Sequence, residues 1–190
     1  MTRGFAVLVA AVTLLAGIDH ARAQGFDMRD VMGGGSFFGL GRSSPARREV
    51  VSFVSQYKPG TIYIDTAERR LYLVLPQGQA VRYGIGVGRD GFRWSGVHRI
   101  SAKKEWPSWT PPSQMLARRP DLPRHMAGGI DNPLGARAMY LGSTLYRIHG
   151  SNEPDTIGQA VSSGCFRMTN EDVTDLYDRV SVGATVVVRN

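Results

Sequence analysis

A single cysteine, Cys165, stands in the run Ser162-Ser163-Gly164-Cys165-Phe166-Arg167-Met168, sixteen residues after the pair-leading His149 of His149-Gly150. A thiol attacks a carbonyl as its thiolate, and an imidazole within reach can take the proton. Gly164 lets backbone amides approach whatever the sulfur attacks, and amides of that kind make an oxyanion hole. Gly150 permits a sharp turn that leaves the imidazole at a sheet edge. One cysteine cannot close an internal disulfide, so it is a reactive thiol, an intermolecular partner or an inert core residue. Ser-Ser-Gly before it and Arg after it are not core-like, which argues against the last.

The other chemistry-bearing residues are less specific. His98 and His125 read as ordinary strand or loop residues. A zinc site would need paired ligand spacing, and the chain has no HExxH or CxxC. Trp106, Trp109 and Tyr140 either line a groove or pack in a β core. Arg167 either binds a substrate carboxylate or braces the loop that carries Cys165.

These residues need a scaffold, and the pattern supplies mostly strands. Residues 50–54 are a short β-branched run, and residues 61–65 and 71–75 flank a polar turn as a hairpin. Residues 80–87 and 97–102 continue the strand pattern, with Gly84, Gly86 and Gly88 marking bent or crowded backbone. Three proline-bearing segments follow, Trp106-Pro107-Ser108-Trp109-Thr110-Pro111-Pro112, Arg119-Pro120-Asp121-Leu122-Pro123 and Asn132-Pro133-Leu134-Gly135. A connection of that length is usually a lid or binding loop. Residues 139–141 and 145–148 read as strands leading to His149, and residues 156–161 as a short helix. Thr169-Asn170-Glu171-Asp172 has the form of a helix N-cap, followed by Val173, Leu176, Tyr177 and Val180 at helical spacing. A closing strand covers residues 184–188.

The first 23 residues read as a secretory signal peptide: Arg3, an uncharged apolar stretch over residues 5–18, and Ala21-Arg22-Ala23 as the cleavage site. The apolar stretch is short for a membrane span, and no cysteine follows the cleavage site for lipid attachment. Residues 24–48, rich in Gly, Ser and Arg, read as a flexible tether before a folded domain at 49–190. The formal charge of +7 drops by one when the leader, with Arg3, Arg22 and Asp19, is removed. Nucleic acid is an unsuitable partner outside the cell and no motif for it is present; an acidic wall polymer or anionic surface fits the charge better.

Ile148-His149-Gly150 followed by Ser162-Ser163-Gly164-Cys165-Phe166-Arg167-Met168-Thr169-Asn170 resembles the L,D-transpeptidase catalytic domain, also called the YkuD domain. The resemblance covers residues 52–190, and Trp109-Thr110-Pro111-Pro112 and Asn132-Pro133-Leu134-Gly135 stand in the order expected of it. One departure is Ser163, where many members carry a histidine. The resemblance implies a mainly β fold, a YkuD-like β-sandwich or barrel with one or two short helices. It implies Cys165 as nucleophile and His149 as base, with a backbone carbonyl near Gly150 orienting the ring and amides at Gly164 and Cys165 stabilising the oxyanion. Arg167, Ser162, Ser163 and Trp109 are the candidate substrate-binding residues. The reaction it implies needs no metal or organic cofactor: attack on the third residue of a peptidoglycan tetrapeptide stem, release of D-alanine, and transfer to an acceptor. The acceptor is a stem amine, giving a 3-3 cross-link, an amine of an envelope protein, or water, which gives carboxypeptidase trimming. The rival reading is a non-catalytic peptidoglycan-binding module that keeps the fold, which predicts loss of the Cys or His that are both present here. The expected compartment is the periplasm.

Overall fold

The computed structural model describes residues 47–190. The leader and most of the tether, residues 1–46, lie outside the described residues. Within the described residues the chain forms eleven strands and two α-helices: β1 (Glu49–Ser52), β2 (Ile62–Asp65), β3 (Arg70–Leu75), β4 (Gln79–Gly84), β5 (Val87–Gly88), β6 (Gly96–Glu105), α1 (Ser113–Arg118), β7 (Arg137–Leu141), β8 (Arg147–His149), β9 (Ala160–Ser162), β10 (Phe166–Arg167), α2 (Asn170–Arg179) and β11 (Thr185–Arg189). Nine strands make one curled sheet in the order β1-β4-β3-β2-β11-β6-β7-β8-β10, and β5 pairs with β9 in a second. The mainly β expectation holds.

The expected hairpin is β2 with β3, paired antiparallel from Ile62 opposite Leu73 to Asp65 opposite Arg70. Ile62 and Ile64 are fully buried while Tyr63 and Asp65 are half-buried, the alternation that a two-faced strand requires. β3 buries both faces at its centre. Leu71 and Leu73 enter the main core, and Tyr72 lies under Phe53, whose ring stacks on it at 4.8 Å. The closing strand β11 inserts parallel to β2 and antiparallel to β6, which joins the two halves of the sheet.

α2 supplies the other wall of the core. Thr169 caps it, its hydroxyl accepting from Asp172 N–H at 3.1 Å, and Val173 and Leu176 are fully buried. Glu171 and Asp172 stand in the first turn, where acids favour the helix dipole. Arg48 lies within 3.5 Å of Glu171, Asp172 and Asp175, so the residue just before β1 is tied to this helix. At the other end Lys103 donates to the carbonyls of Tyr177 and Val180 at 2.6 and 2.7 Å, pairing carbonyl groups that the helix leaves open.

Two expectations are corrected. Residues 156–161 do not form an α-helix: a single 3-10 turn, Pro154–Thr156, leads into β9. Ala160 is drawn into strand geometry by pairing with Val87, a partner far away in sequence. The second helix is instead α1, in the proline-bearing connection that reads as a loop, and none of its residues is buried.

Candidate active site

β8 ends at His149, and β10 begins one residue after Cys165; the two strands pair in parallel, with Phe166 opposite Ile148 and Arg167 opposite His149. This pairing carries the thiol and the imidazole to one cleft of about 770 Å³, lined by both. The proline-bearing connection supplies the facing wall through Trp109, Pro112, Met115, Arg118, Leu122 and Leu134.

His149 is 5 % exposed. Its Nδ1 lies 2.6 Å from the carbonyl oxygen of Gly150. A carbonyl only accepts, so Nδ1 carries the proton and the neutral ring presents Nε2 as its base. Burial pushes the imidazole down to about 4, against the smaller opposing effect of the Gly150 carbonyl, while the positive charges of Arg167 and Arg147 push it further down. Burial likewise pushes the Cys165 thiol up, with Arg147 and Arg167 pulling it partly back. Both shifts favour a neutral thiol and a neutral imidazole in the resting cleft. The sulfur's hydrogen-bond partner is the carbonyl of Leu145, at 3.9 Å.

Gly150 is required by close approach. A Cβ there would collide with Oδ1 of Asn170, which accepts from Ala136 N–H at 2.9 Å. Asn170 is the last residue of the cysteine-bearing sequence pattern, and this contact gives it a structural reason. Gly164 is required by conformation as well as space. Its φ is +107°, and an added Cβ would lie 2.5 Å from the Tyr146 ring.

The loop amides are not equivalent. Gly164 N–H donates to Ser162 Oγ at 3.2 Å, and the Ser162 hydroxyl in turn donates to the Cys165 carbonyl at 2.6 Å. In this structure the Gly164 N–H and the Ser162 hydroxyl, expected as an oxyanion donor and a substrate contact, both make bonds within the loop. The Cys165 N–H has no partner among the described residues. Arg167 donates to Ser151 Oγ at 2.8 Å and to Glu153 Oε2 at 2.7 Å. It ties the strand after the cysteine to the loop after the histidine, so of the two roles expected for it this structure displays the brace. Ser163 and Trp109 line the cleft, and Trp109 is held by paired backbone bonds with Met126 at 2.8 Å.

His98 and His125 stay away from the cleft, packing against Trp94 and bonding Thr110 respectively. Neither Trp106 nor Tyr140 lines it. Arg147 does, unexpectedly. Its guanidinium lies over the Tyr140 ring at 5.2 Å, and its Nε is buried without a partner among the described residues. The strand period carried that signal, because positions two apart on β8 share a face, and Arg147 stands two before His149.

The L,D-transpeptidase catalytic domain family, YkuD, matches residues 59–188, and the chain belongs to it. It is 38% identical over 136 residues to the probable L,D-transpeptidase ErfK/SrfK of Escherichia coli K12, covering 67% of this chain and 43% of that one. It is 39% identical over 135 residues to the probable L,D-transpeptidase YbiS of the same organism, again covering 43% of it. The chain thus spans less than half the length of these curated relatives. Among solved structures, a Brucella melitensis protein named a probable carnitine operon oxidoreductase is 52% identical, with a TM-score of 0.51, covering 75% of this chain and 93% of that one. The L,D-transpeptidase of Mycobacterium smegmatis shares the fold at 17% identity, with a TM-score of 0.55 over 68% of this chain and 58% of that one.

Proposed function

We propose that this chain is an exported peptidoglycan L,D-transpeptidase in which Cys165 is the nucleophile and His149 the general base. The observation that carries the reading is that Cys165 and His149 line one cleft, with the His149 Nδ1 proton fixed on Gly150 and the Cys165 N–H without a partner among the described residues. The family and the curated relatives support the same reaction, whereas the oxidoreductase name of the Brucella protein agrees with neither.

The donor is a tetrapeptide stem. As its third-residue carbonyl meets the sulfur, the thiol proton passes to His149 Nε2 and the S–C bond forms. The carbonyl oxygen becomes an oxyanion held by Cys165 N–H. Collapse breaks the C–N bond, and the leaving D-alanine takes the proton from Nε2 as its amine forms. A thioester remains. An acceptor amine then attacks it, giving its proton to Nε2, and the S–C bond breaks as the sulfur recovers a proton. The neutral resting pair suits this order, because the proton moves only when a carbonyl is present to be attacked.

The acceptor is an amine on a neighbouring stem or on an envelope protein, with water as the competing outcome that turns transfer into trimming. The compartment is the periplasm, reached through the leader at residues 1–23. The test is intact-mass analysis after exposure to a carbapenem, followed by incubation with purified tetrapeptide muropeptides. One adduct on the wild type and none on Cys165→Ala supports the nucleophile, and a 3-3 linked dimer supports stem transfer. An equal adduct on Cys165→Ala defeats the assignment.

A further inference from the structure

We infer that Trp94 is a positioning residue for the oxyanion donor, acting through the peptide bond between Gly164 and Cys165. Its indole Nε1–H donates to the carbonyl oxygen of Gly164 at 2.8 Å. That carbonyl and the Cys165 N–H belong to the same peptide unit. The peptide is planar and trans, so its N–H and C=O point in opposite directions. Fixing the oxygen on the indole therefore fixes the N–H away from Trp94. Trp94 does not line the cleft and Cys165 does, so the indole holds this peptide from behind.

The indole is itself immobilised. It stacks on Tyr146 at 4.6 Å with an 11° interplanar angle, leans on Phe166 at 5.3 Å and receives the edge of His98 at 5.2 Å. Tyr146 in turn presses on Gly164, whose α-carbon leaves no room for a side chain there. A hydrogen bond accepted by the carbonyl also polarises the amide and strengthens its N–H as a donor. Orientation and donor strength both serve the oxyanion and do nothing for the sulfur.

That asymmetry supplies the test, which rests on the reading of Cys165 as the acylated nucleophile. Acylation by a carbapenem forms an oxyanion, whereas alkylation by iodoacetamide is a displacement that forms none. In Trp94→Phe, which keeps a ring against Tyr146 but has no N–H, acylation should slow by roughly tenfold, less than loss of an oxyanion donor outright. Alkylation should stay within about twofold of wild type, since the thiolate is untouched. With a peptide donor the loss should fall on kcat, with KM little changed. Should Trp94→Phe fold poorly, site-specific replacement by benzothienylalanine, which keeps the bicyclic outline and lacks the N–H, gives the same comparison. A parallel fall in acylation and alkylation would reduce Trp94 to loop support and overturn the inference, as would unchanged acylation. A wild-type protein that is alkylated but never acylated would instead defeat the functional reading itself.

Discussion

Oδ1 of Asn170, at the first turn of α2, abuts the α-carbon of Gly150, the residue whose carbonyl accepts the His149 Nδ1 proton. The helix thereby sets the position of the group that sets the tautomer of the His149 imidazole. Gly150→Ala should push the Gly150 carbonyl off Nδ1, free the ring to rotate, and lower the acylation rate by about 100-fold, the upper range of a general-base contribution being larger still. The collision should also cost about 1–3 kcal/mol of stability. Carbapenem acylation kinetics and urea denaturation measure the two effects separately.

The buried histidine also makes stability depend on pH. The unfolded chain takes up the imidazole proton near 6.5, and the folded chain only near 4. Between those values the unfolded state binds more protons, so stability rises with pH and is lost as pH falls through this window. The contribution is at most roughly 3 kcal/mol. Urea melts of wild type and His149→Gln from pH 4 to 7.5 should show a steeper loss in the wild type. Identical slopes would place the imidazole in contact with water.

A neutral resting thiol has a kinetic signature. With burial holding the thiol up, the rate of alkylation of the free enzyme by iodoacetamide should climb with pH through the range 7–9, without a plateau at pH 5–7. A plateau there would reveal a preformed thiolate paired with imidazolium and would require the His149 ring to be more solvated than this structure shows.

Arg167 distinguishes bracing from substrate contact. Its side chain is only 13% exposed and holds both Ser151 and Glu153. Arg167→Ala should cost about 1–3 kcal/mol and lower Tm by about 3–8 °C by calorimetry, besides slowing acylation. An arginine that only met substrate would leave Tm unchanged. Arg167→Lys should recover part of the loss, because both bonds leave the single nitrogen Nη2 and an ammonium nitrogen also donates to two acceptors.

The cleft wall carries Arg89, Arg118 and Arg147, none of which pairs with a carboxylate among the described residues. Arg89 and Arg118 both lie over the Phe92 ring, at 4.6 and 5.3 Å. An anionic stem peptide should therefore bind more weakly as salt rises. Arg118→Glu should raise KM by about tenfold, equivalent to about 1.4 kcal/mol, leave kcat near wild type, and flatten the salt dependence. Steady-state kinetics between low and moderate ionic strength test this.

How much of this was legible in the sequence depended on where each residue's partner lies. The β2–β3 hairpin declares itself because alternation and a short polar turn are local, and α2 because Thr169 and the periodic Val173 and Leu176 are contained in one segment. β9 does not, since a three-residue strand has no period and its geometry comes from Val87. α1 buries nothing, so it carries no amphipathic pattern to read. The thiol and its base are visible as residue types at a characteristic spacing. Ser162 and the Gly164 amide as loop fasteners, and Trp94 behind the loop, are not: each depends on a backbone direction or on a partner that only folding brings near.

The strand ending at His149 and the strand following Cys165 close one end of the nine-stranded sheet, and the latter, β10, two residues long, is hydrogen-bonded to β8 on one side and, through Arg167, to Gly86 on the other. Phe166 and Met168, on either side of Arg167, are buried, whereas β1 at the opposite end of the sheet is mostly exposed. The cysteine-bearing segment is thus clamped from both sides rather than left at a frayed margin. On warming, β1 should lose amide protection from exchange first, while the ability of Cys165 to be acylated persists until the sheet itself opens.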